Sequence, residues 1–60
     1  MSKIVRVKPK GGEEKTYYDV TPEGEEPHYW RLTLYDQTGK TIAQFDKGTL
    51  DSWEVVQKPG

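Results

Sequence analysis

The sequence predicts an all-β protein: one small, five-stranded antiparallel sheet that curls into a barrel. Short runs of residues alternate between apolar and polar side chains, which is the period of a half-buried strand. Glycine, proline and aspartate cluster between those runs, where tight turns are needed. The chain has 60 residues, of which 32% are hydrophobic and 32% charged. A chain of this length and composition can hold one domain, residues 1–60, around a small core.

The first strand is predicted at residues 4–8. Val5 and Val7 share its inner face, and Pro9 ends it because proline donates no hydrogen bond to a strand ladder. The two glycines within residues 10–14 supply the turn that follows.

The second strand is predicted at residues 16–20, which are rich in β-branched and aromatic residues. Strict alternation places Tyr18 and Val20 on its inner face and Tyr17 on its outer face. Residues 21–27 contain two prolines and a glycine, so we expect a loop there.

The clearest alternation lies in residues 28–35, where Trp30, Leu32 and Leu34 share one face. We interpret these residues as the third strand, with both tryptophans of the chain in the core. Residues 36–39 are typical of a four-residue hairpin loop.

The register of this hairpin follows from the loop. If the fourth strand covers residues 40–45, Leu32 lies opposite Ala43 and Trp30 opposite Phe45 on the inner face. The alternative is a three-residue loop, whose register would bury the side-chain amide of Gln44.

That alternative loop would be closed by Asp36 and Lys40. It would set Gln44 against Leu32, and burying an amide without a partner is costly. The sequence therefore favours the longer loop.

The C-terminal segment is ambiguous. We expect a turn at residues 46–48, one 3-10 turn near residues 50–52 and a last strand at residues 53–57. The alternative is a short C-terminal helix, because residues 51–54 fit a capping box, but Pro59 leaves such a helix little length.

The order of hairpin, one-turn 3-10 helix and last strand resembles the C-terminal half of SH3-like barrels. The motifs by which that family binds peptides, an Ala-Leu-Tyr-Asp-Tyr start and paired tryptophans, are absent here. The resemblance therefore implies an SH3-like architecture and no particular function.

Charge is unevenly distributed, although the net charge is −1. Residues 1–10 carry only basic charges, and residues 11–27 are mainly acidic. One interpretation is attraction between neighbouring strands across a hairpin. The other is a phosphate-binding strip made of Lys3, Arg6, Lys8 and Lys10.

Catalysis is not expected. The chain has no cysteine and one histidine, His28, and neither Ser2 nor Ser52 lies in a nucleophile elbow. No glycine cluster matches a nucleotide-binding loop. We therefore expect no cofactor and no metal site. No apolar run is long enough to span a membrane and no signal segment is visible, so we expect no membrane association and a cytoplasmic location.

An outward aromatic face is the main functional indication. Aromatic and Arg residues are enriched in binding hot spots, and they also stack on nucleic-acid bases. The leading hypothesis is a non-enzymatic interaction module for a protein partner. Nucleic-acid binding through the basic strip and the tyrosines is the alternative, and a designed or natural scaffold without a ligand is a third. The face comprises Tyr17, Tyr29, Arg31, Tyr35 and Ile42.

An open strand edge would allow the chain to pair with another strand. If residues 4–8 form an open edge, they could add a strand of a partner protein or pair with a second copy. Pro9 and the alternating lysines oppose such pairing, so the sequence favours a monomer.

Overall fold

The computed structural model describes residues 3–57, and the remainder of the predicted domain lies outside these residues. The strands pair antiparallel in the order β4-β3-β2-β1-β5. The all-β class, the five-stranded antiparallel sheet and its single 3-10 turn are confirmed. The sheet is not closed, so the predicted barrel is not confirmed. The elements are β1 (Lys3–Pro9), β2 (Lys15–Glu23), β3 (Arg31–Tyr35), β4 (Thr41–Asp46), the 3-10 turn (Lys47–Thr49) and β5 (Leu50–Gln57).

β1 is an inner strand, between β2 and β5. Its predicted alternation is confirmed, because Val5 and Val7 are fully buried while Arg6 is exposed. The suggestion that residues 4–8 form an open edge is wrong, because both edges of the strand are already paired.

The core is aliphatic and small. Half-buried side chains surround it, namely Tyr17, Ala43, Phe45, Trp53 and Val55. The buried core residues come from β1, β2, β3 and the start of β5. They are Val5, Val7, Val20, Leu32, Leu34 and Leu50.

β2 contains a bulge. Lys3 pairs with Val20 and Val5 with Tyr17, so β2 has one residue more than β1 between these pairs. Asp19 lies within the bulge with a φ of 56°. Aspartate is one of the few residues other than glycine that adopt this left-handed conformation readily.

The bulge reverses the faces predicted for two tyrosines. Tyr17 is half-buried and packs against Phe45, with ring centroids 6.1 Å apart, whereas Tyr18 is 66% exposed. The prediction of Tyr18 inside and Tyr17 outside is wrong, because one inserted residue inverts the alternation. Val20 is buried as predicted.

Asp36 closes the turn between β3 and β4. Its backbone N–H donates to the carbonyl of Lys40 at 2.8 Å. Its Oδ1 accepts three hydrogen bonds, from the backbone and hydroxyl of Thr38 and from the backbone of Lys40. This is the three-residue loop that the sequence disfavoured, so the longer loop was wrong.

A second bulge makes this shorter loop acceptable. Leu34 pairs with Ala43 and Tyr35 with Thr41, so Ile42 is the inserted residue. The bulge shifts every later residue of β4 by one position, and the uniform register assumed from the sequence does not exist.

Gln44 therefore lies opposite Thr33, and its amide donates to the threonine hydroxyl at 3.3 Å. Leu32 faces Phe45, and the predicted pair of Leu32 with Ala43 is wrong. No amide is buried against leucine, which removes the objection to the shorter loop.

Trp30 is not a core residue. It precedes β3, which begins at Arg31, and its side chain is 54% exposed. The predicted pair of Trp30 with Phe45 is wrong because Leu32 occupies the position opposite Phe45.

The 3-10 turn Lys47–Thr49 begins three residues earlier than predicted. Asp46 caps it, because its Oδ1 accepts the backbone N–H of Gly48 at 2.9 Å. β5 then starts at the buried Leu50 and is longer than the predicted 53–57. The alternative of a C-terminal helix over these residues is wrong.

The hydrogen bonds to Asp36 predict a measurable acid effect. The Thr38 hydroxyl and then the Lys40 backbone lower the pKa of Asp36 below its ordinary 3.8. Ionised Asp36 therefore stabilises the fold above the unfolded-state pKa, and this contribution is lost as pH falls through the lower folded-state pKa. A pH titration of the Asp36 carboxyl carbon by NMR should give a midpoint below the ordinary value, and Thr38→Ala should raise that midpoint. An unchanged midpoint in Thr38→Ala would contradict the assigned cause.

Candidate functional site

Three consecutive residues before and at the start of β3 form the most distinctive surface, which we name the Trp30 cluster: Tyr29, Trp30 and Arg31. The rings of Tyr29 and Trp30 stack at 23° with centroids 6.5 Å apart. Arg31 Cζ lies 4.0 Å from the centre of the Trp30 ring. Tyr29 is 47% and Trp30 54% exposed, so two large aromatic residues remain in contact with solvent.

Polar contacts from Lys47 hold the loop that carries this cluster. The Lys47 ammonium donates to the carbonyl of Gly24 and, at 2.8 Å, to that of Glu26. Its backbone N–H donates to the carbonyl of Trp30 at 2.9 Å. The same ammonium lies 4.4 Å from the centre of the Trp53 ring, a cation–π geometry. Lys47 therefore joins the loop to both the 3-10 turn and β5.

Gly24 lets the loop fold back on itself. Its φ is 89°, and a Cβ at this position would overlap the carbonyl oxygen of Arg31 and lie 2.8 Å from Cδ2 of Tyr29. Glycine is thus required both by conformation and by space. The backbone N–H of Tyr29 also donates to Glu26 at 3.0 Å, closing a turn inside the loop.

Beside the cluster, the outer face of β3 carries Tyr35. Its hydroxyl donates to Glu23 Oε1 at 2.8 Å. This hydrogen bond, more than desolvation or the carboxylate charge, raises the pKa of the Tyr35 phenol above its ordinary 10.0. Ile42 on β4 is 46% exposed. Thr33 of β3 is buried and accepts a hydrogen bond from Gln44 of β4.

The structure thus divides the predicted partner-binding residues. Tyr29 and Arg31 meet around Trp30, while Tyr35 lies on β3 with its own hydrogen bond and Ile42 lies exposed on β4. Tyr17 belongs to the opposite face, against Phe45.

Sequence reasoning missed Trp30 as a surface residue. It alternates with Leu32 and Leu34, which is the pattern of a core position. Pro27, three residues before Trp30, is a local signal that the strand starts later than the alternation does, because proline favours a turn.

Three of the four residues in the predicted phosphate-binding strip form ion pairs. Lys10 is exposed, and its backbone N–H donates to the carbonyl of Thr49 at 3.0 Å. The paired side chains are 30% to 58% exposed, so each pair contributes little stability. The pairs are Lys3 with Glu25 at 3.0 Å, Arg6 with Glu54 at 2.8 Å and Lys8 with Asp51 at 3.2 Å.

These pairs correct the expected partner of the basic strand. Opposite charges do attract across neighbouring strands, but Arg6 and Lys8 bind carboxylates of β5 rather than of the β1–β2 hairpin. A shallow groove of about 240 Å³ lies among them, with walls of both charge signs. Its lining is Arg6, Lys8, Glu14, Ser52, Trp53 and Glu54.

Within residues 3–57, no three His, Asp or Glu side chains come together in a way that could hold a metal ion. None of the described elements is a helix with the length and apolarity to cross a membrane. Compared with models of known protein families, with curated proteins and with solved structures, the chain has no significant match.

Proposed function

We propose that this chain is a small, non-enzymatic β domain that binds a protein partner through the Trp30 cluster, with Tyr35 and Ile42 at its margin. The observation that carries the proposal is the exposure of Tyr29 and Trp30 on a loop held by several hydrogen bonds.

The composition makes this exposure informative. Only six hydrophobic side chains of the described part of the chain are buried, and all are aliphatic. A chain with so small a core gains from every aromatic residue that it buries. Leaving Trp30 in solvent forgoes that gain, and a binding role accounts for it.

The contacts of the loop favour recognition by preformed geometry. Lys47 fixes the carbonyls of Gly24 and Glu26, so the loop loses little further conformational entropy when a partner binds. Trp, Tyr and Arg are also the residues most enriched in binding hot spots. The cluster suits a partner that covers the rings with an apolar side chain and offers Arg31 a hydrogen-bond acceptor.

Nucleic-acid binding has less support. Base-stacking platforms normally lie in a basic groove, whereas Lys3, Arg6 and Lys8 are each paired with a carboxylate. The sequence pI of 5.7 points in the same direction. The nucleic-acid hypothesis and the ligand-free scaffold are therefore outcomes of the test below.

The SH3-like architecture is part of the proposal. It is supported by a long β2 that pairs with both β1 and β3, and by a 3-10 turn between β4 and β5. This architecture is compatible with many functions and does not select one.

The test compares three forms of the chain as baits in lysate of the source cells: native, Tyr29→Ala with Trp30→Ala, and Tyr18→Ala. Tyr18 is a matched control because it is exposed and lies outside the cluster. We expect native and Tyr18→Ala baits to retain the same protein. The double variant should bind that purified protein at least about tenfold more weakly in calorimetry.

Equal retention by all three forms would contradict the proposal. Selective binding of single-stranded oligonucleotides, with an affinity that falls steeply as salt rises, would instead establish the nucleic-acid alternative. No specific binding of either class would favour the ligand-free scaffold.

A further inference from the structure

The outer side of β5 is an open strand edge. β5 pairs with β1 on one side, and no strand among residues 3–57 pairs with the other. An edge of this kind presents unpaired N–H and C=O groups, which can pair with an additional strand.

This edge carries few of the features that usually prevent strand addition. Its irregularity is confined to its start, between Leu50 and Ser52, and its charged side chains are Asp51 and Glu54. Residues 50–57 contain neither proline nor lysine. The register with β1 is uninterrupted from Ser52 to Gln57. β4, at the opposite edge of the sheet, is interrupted by the bulge at Ile42 and leads directly into the 3-10 turn. β5 is therefore the edge open to pairing.

The side chains of β5 specify what an added strand should carry. Trp53 and Val55 pack against the core but are only partly buried. Glu54 lies on the other face, is 58% exposed, and uses Oε1 to accept from Arg6. β1 complements this pattern with a cation between two valines. The pairs are Val5 with Val55, Arg6 with Glu54 and Val7 with Trp53.

We propose that the outer edge of β5 accepts an extended segment of a partner protein in which a Lys or Arg lies between two aliphatic residues. The aliphatic side chains of the added segment pack against the exposed parts of Trp53 and Val55. Its cation pairs with the carboxylate of Glu54, which also accepts from Arg6. This surface is separate from the Trp30 cluster, so the inference does not depend on the proposed function.

Charge argues against a second copy as the occupant. When two β5 strands pair antiparallel about their centre, Glu54 lies directly or diagonally across from Glu54 of the second copy. Like charges in these positions destabilise the pairing. A basic strand has the opposite effect, since opposite-charge cross-strand pairs are favourable.

The test uses two synthetic peptides and three forms of the full chain: native, Glu54→Arg and Glu54→Gln. One peptide, acetyl-Lys-Ile-Val-Arg-Val-Lys-amide, repeats the pattern of residues 3–8. The matched control peptide has Glu in place of Arg. Both are titrated into each form, with backbone amide NMR as the readout. Glu54→Gln serves if Glu54→Arg does not fold.

We expect the Arg peptide to shift amides of β5 and to bind the native chain at least about fivefold more tightly than the Glu peptide. Glu54→Arg should reverse this preference, and Glu54→Gln should abolish it. The inference is overturned if neither peptide binds at about 2 mM, or if the peptide charge has no effect. Shifts confined to the Trp30 cluster, displacement of β1, or burial of β5 by self-association would also overturn it.

Discussion

Replacing Gly24 with alanine is expected to destabilise the fold by about 2 to 4 kcal/mol. Two physical effects add. The left-handed φ of 89° strains any residue with a Cβ, and the new methyl group would overlap the carbonyl of Arg31. Relief requires the loop to move, and that would disturb the contacts of Lys47. Urea denaturation of the two chains measures the difference.

Gly39→Ala is the matched control. Gly39 has nearly the same φ, 88°, but a Cβ there would meet no atom within 4 Å. Only the conformational strain remains, and we expect a loss of about 1 kcal/mol. Equal losses at the two positions would mean that the close approach of Gly24 to Arg31 does not exist in solution.

Tyr17→Ala is expected to lower the free energy of unfolding by about 2 to 4 kcal/mol, and Tyr18→Ala by no more than about 0.5 kcal/mol. Tyr17 packs against Phe45 at the edge of the core, whereas Tyr18 is 66% exposed. Strict alternation along β2 predicts the reverse order. The two substituted residues are neighbours in the sequence and lie on opposite faces of β2, so the comparison tests the bulge at Asp19 directly.

Thermal and urea unfolding of both variants give the comparison. A larger loss in Tyr18→Ala would place Tyr18 inside and would contradict the bulge. Tyr18→Ala also has a second use, because it is the control for the Trp30 cluster. A stable Tyr18→Ala chain is therefore needed before the binding comparison is interpreted.

The two proposed surfaces can fail independently. The Trp30 cluster depends on side chains of a loop held by Lys47, and its test removes two aromatic rings. The β5 edge depends on unpaired backbone groups and on Glu54, and its test reverses a charge. A partner whose binding is lost when the two rings are removed, but is unchanged when Glu54 is substituted, would support the first surface alone.

Much of the fold could be predicted from the sequence. Val5 and Val7 are the buried face of β1, and Leu32 and Leu34 are buried on β3, because their spacing matches the strand period. The position of the turn at Asp36 was predicted correctly, but the length of its loop was not. In the candidate site, Tyr29 and Arg31 were identified and Trp30 was missed.

The sequence by itself determined the all-β class, because alternating β-branched and aromatic residues separated by turn formers favour short antiparallel strands. Only the tertiary structure decided where the alternation of inward and outward side chains is interrupted. Bulges at Asp19 and Ile42 each insert one residue, and one residue is enough to exchange the two faces of a strand. Where a bulge forms depends on how strands distant in sequence pack. For that reason Tyr17 is inside, whereas Trp30 is exposed because β3 begins only at Arg31.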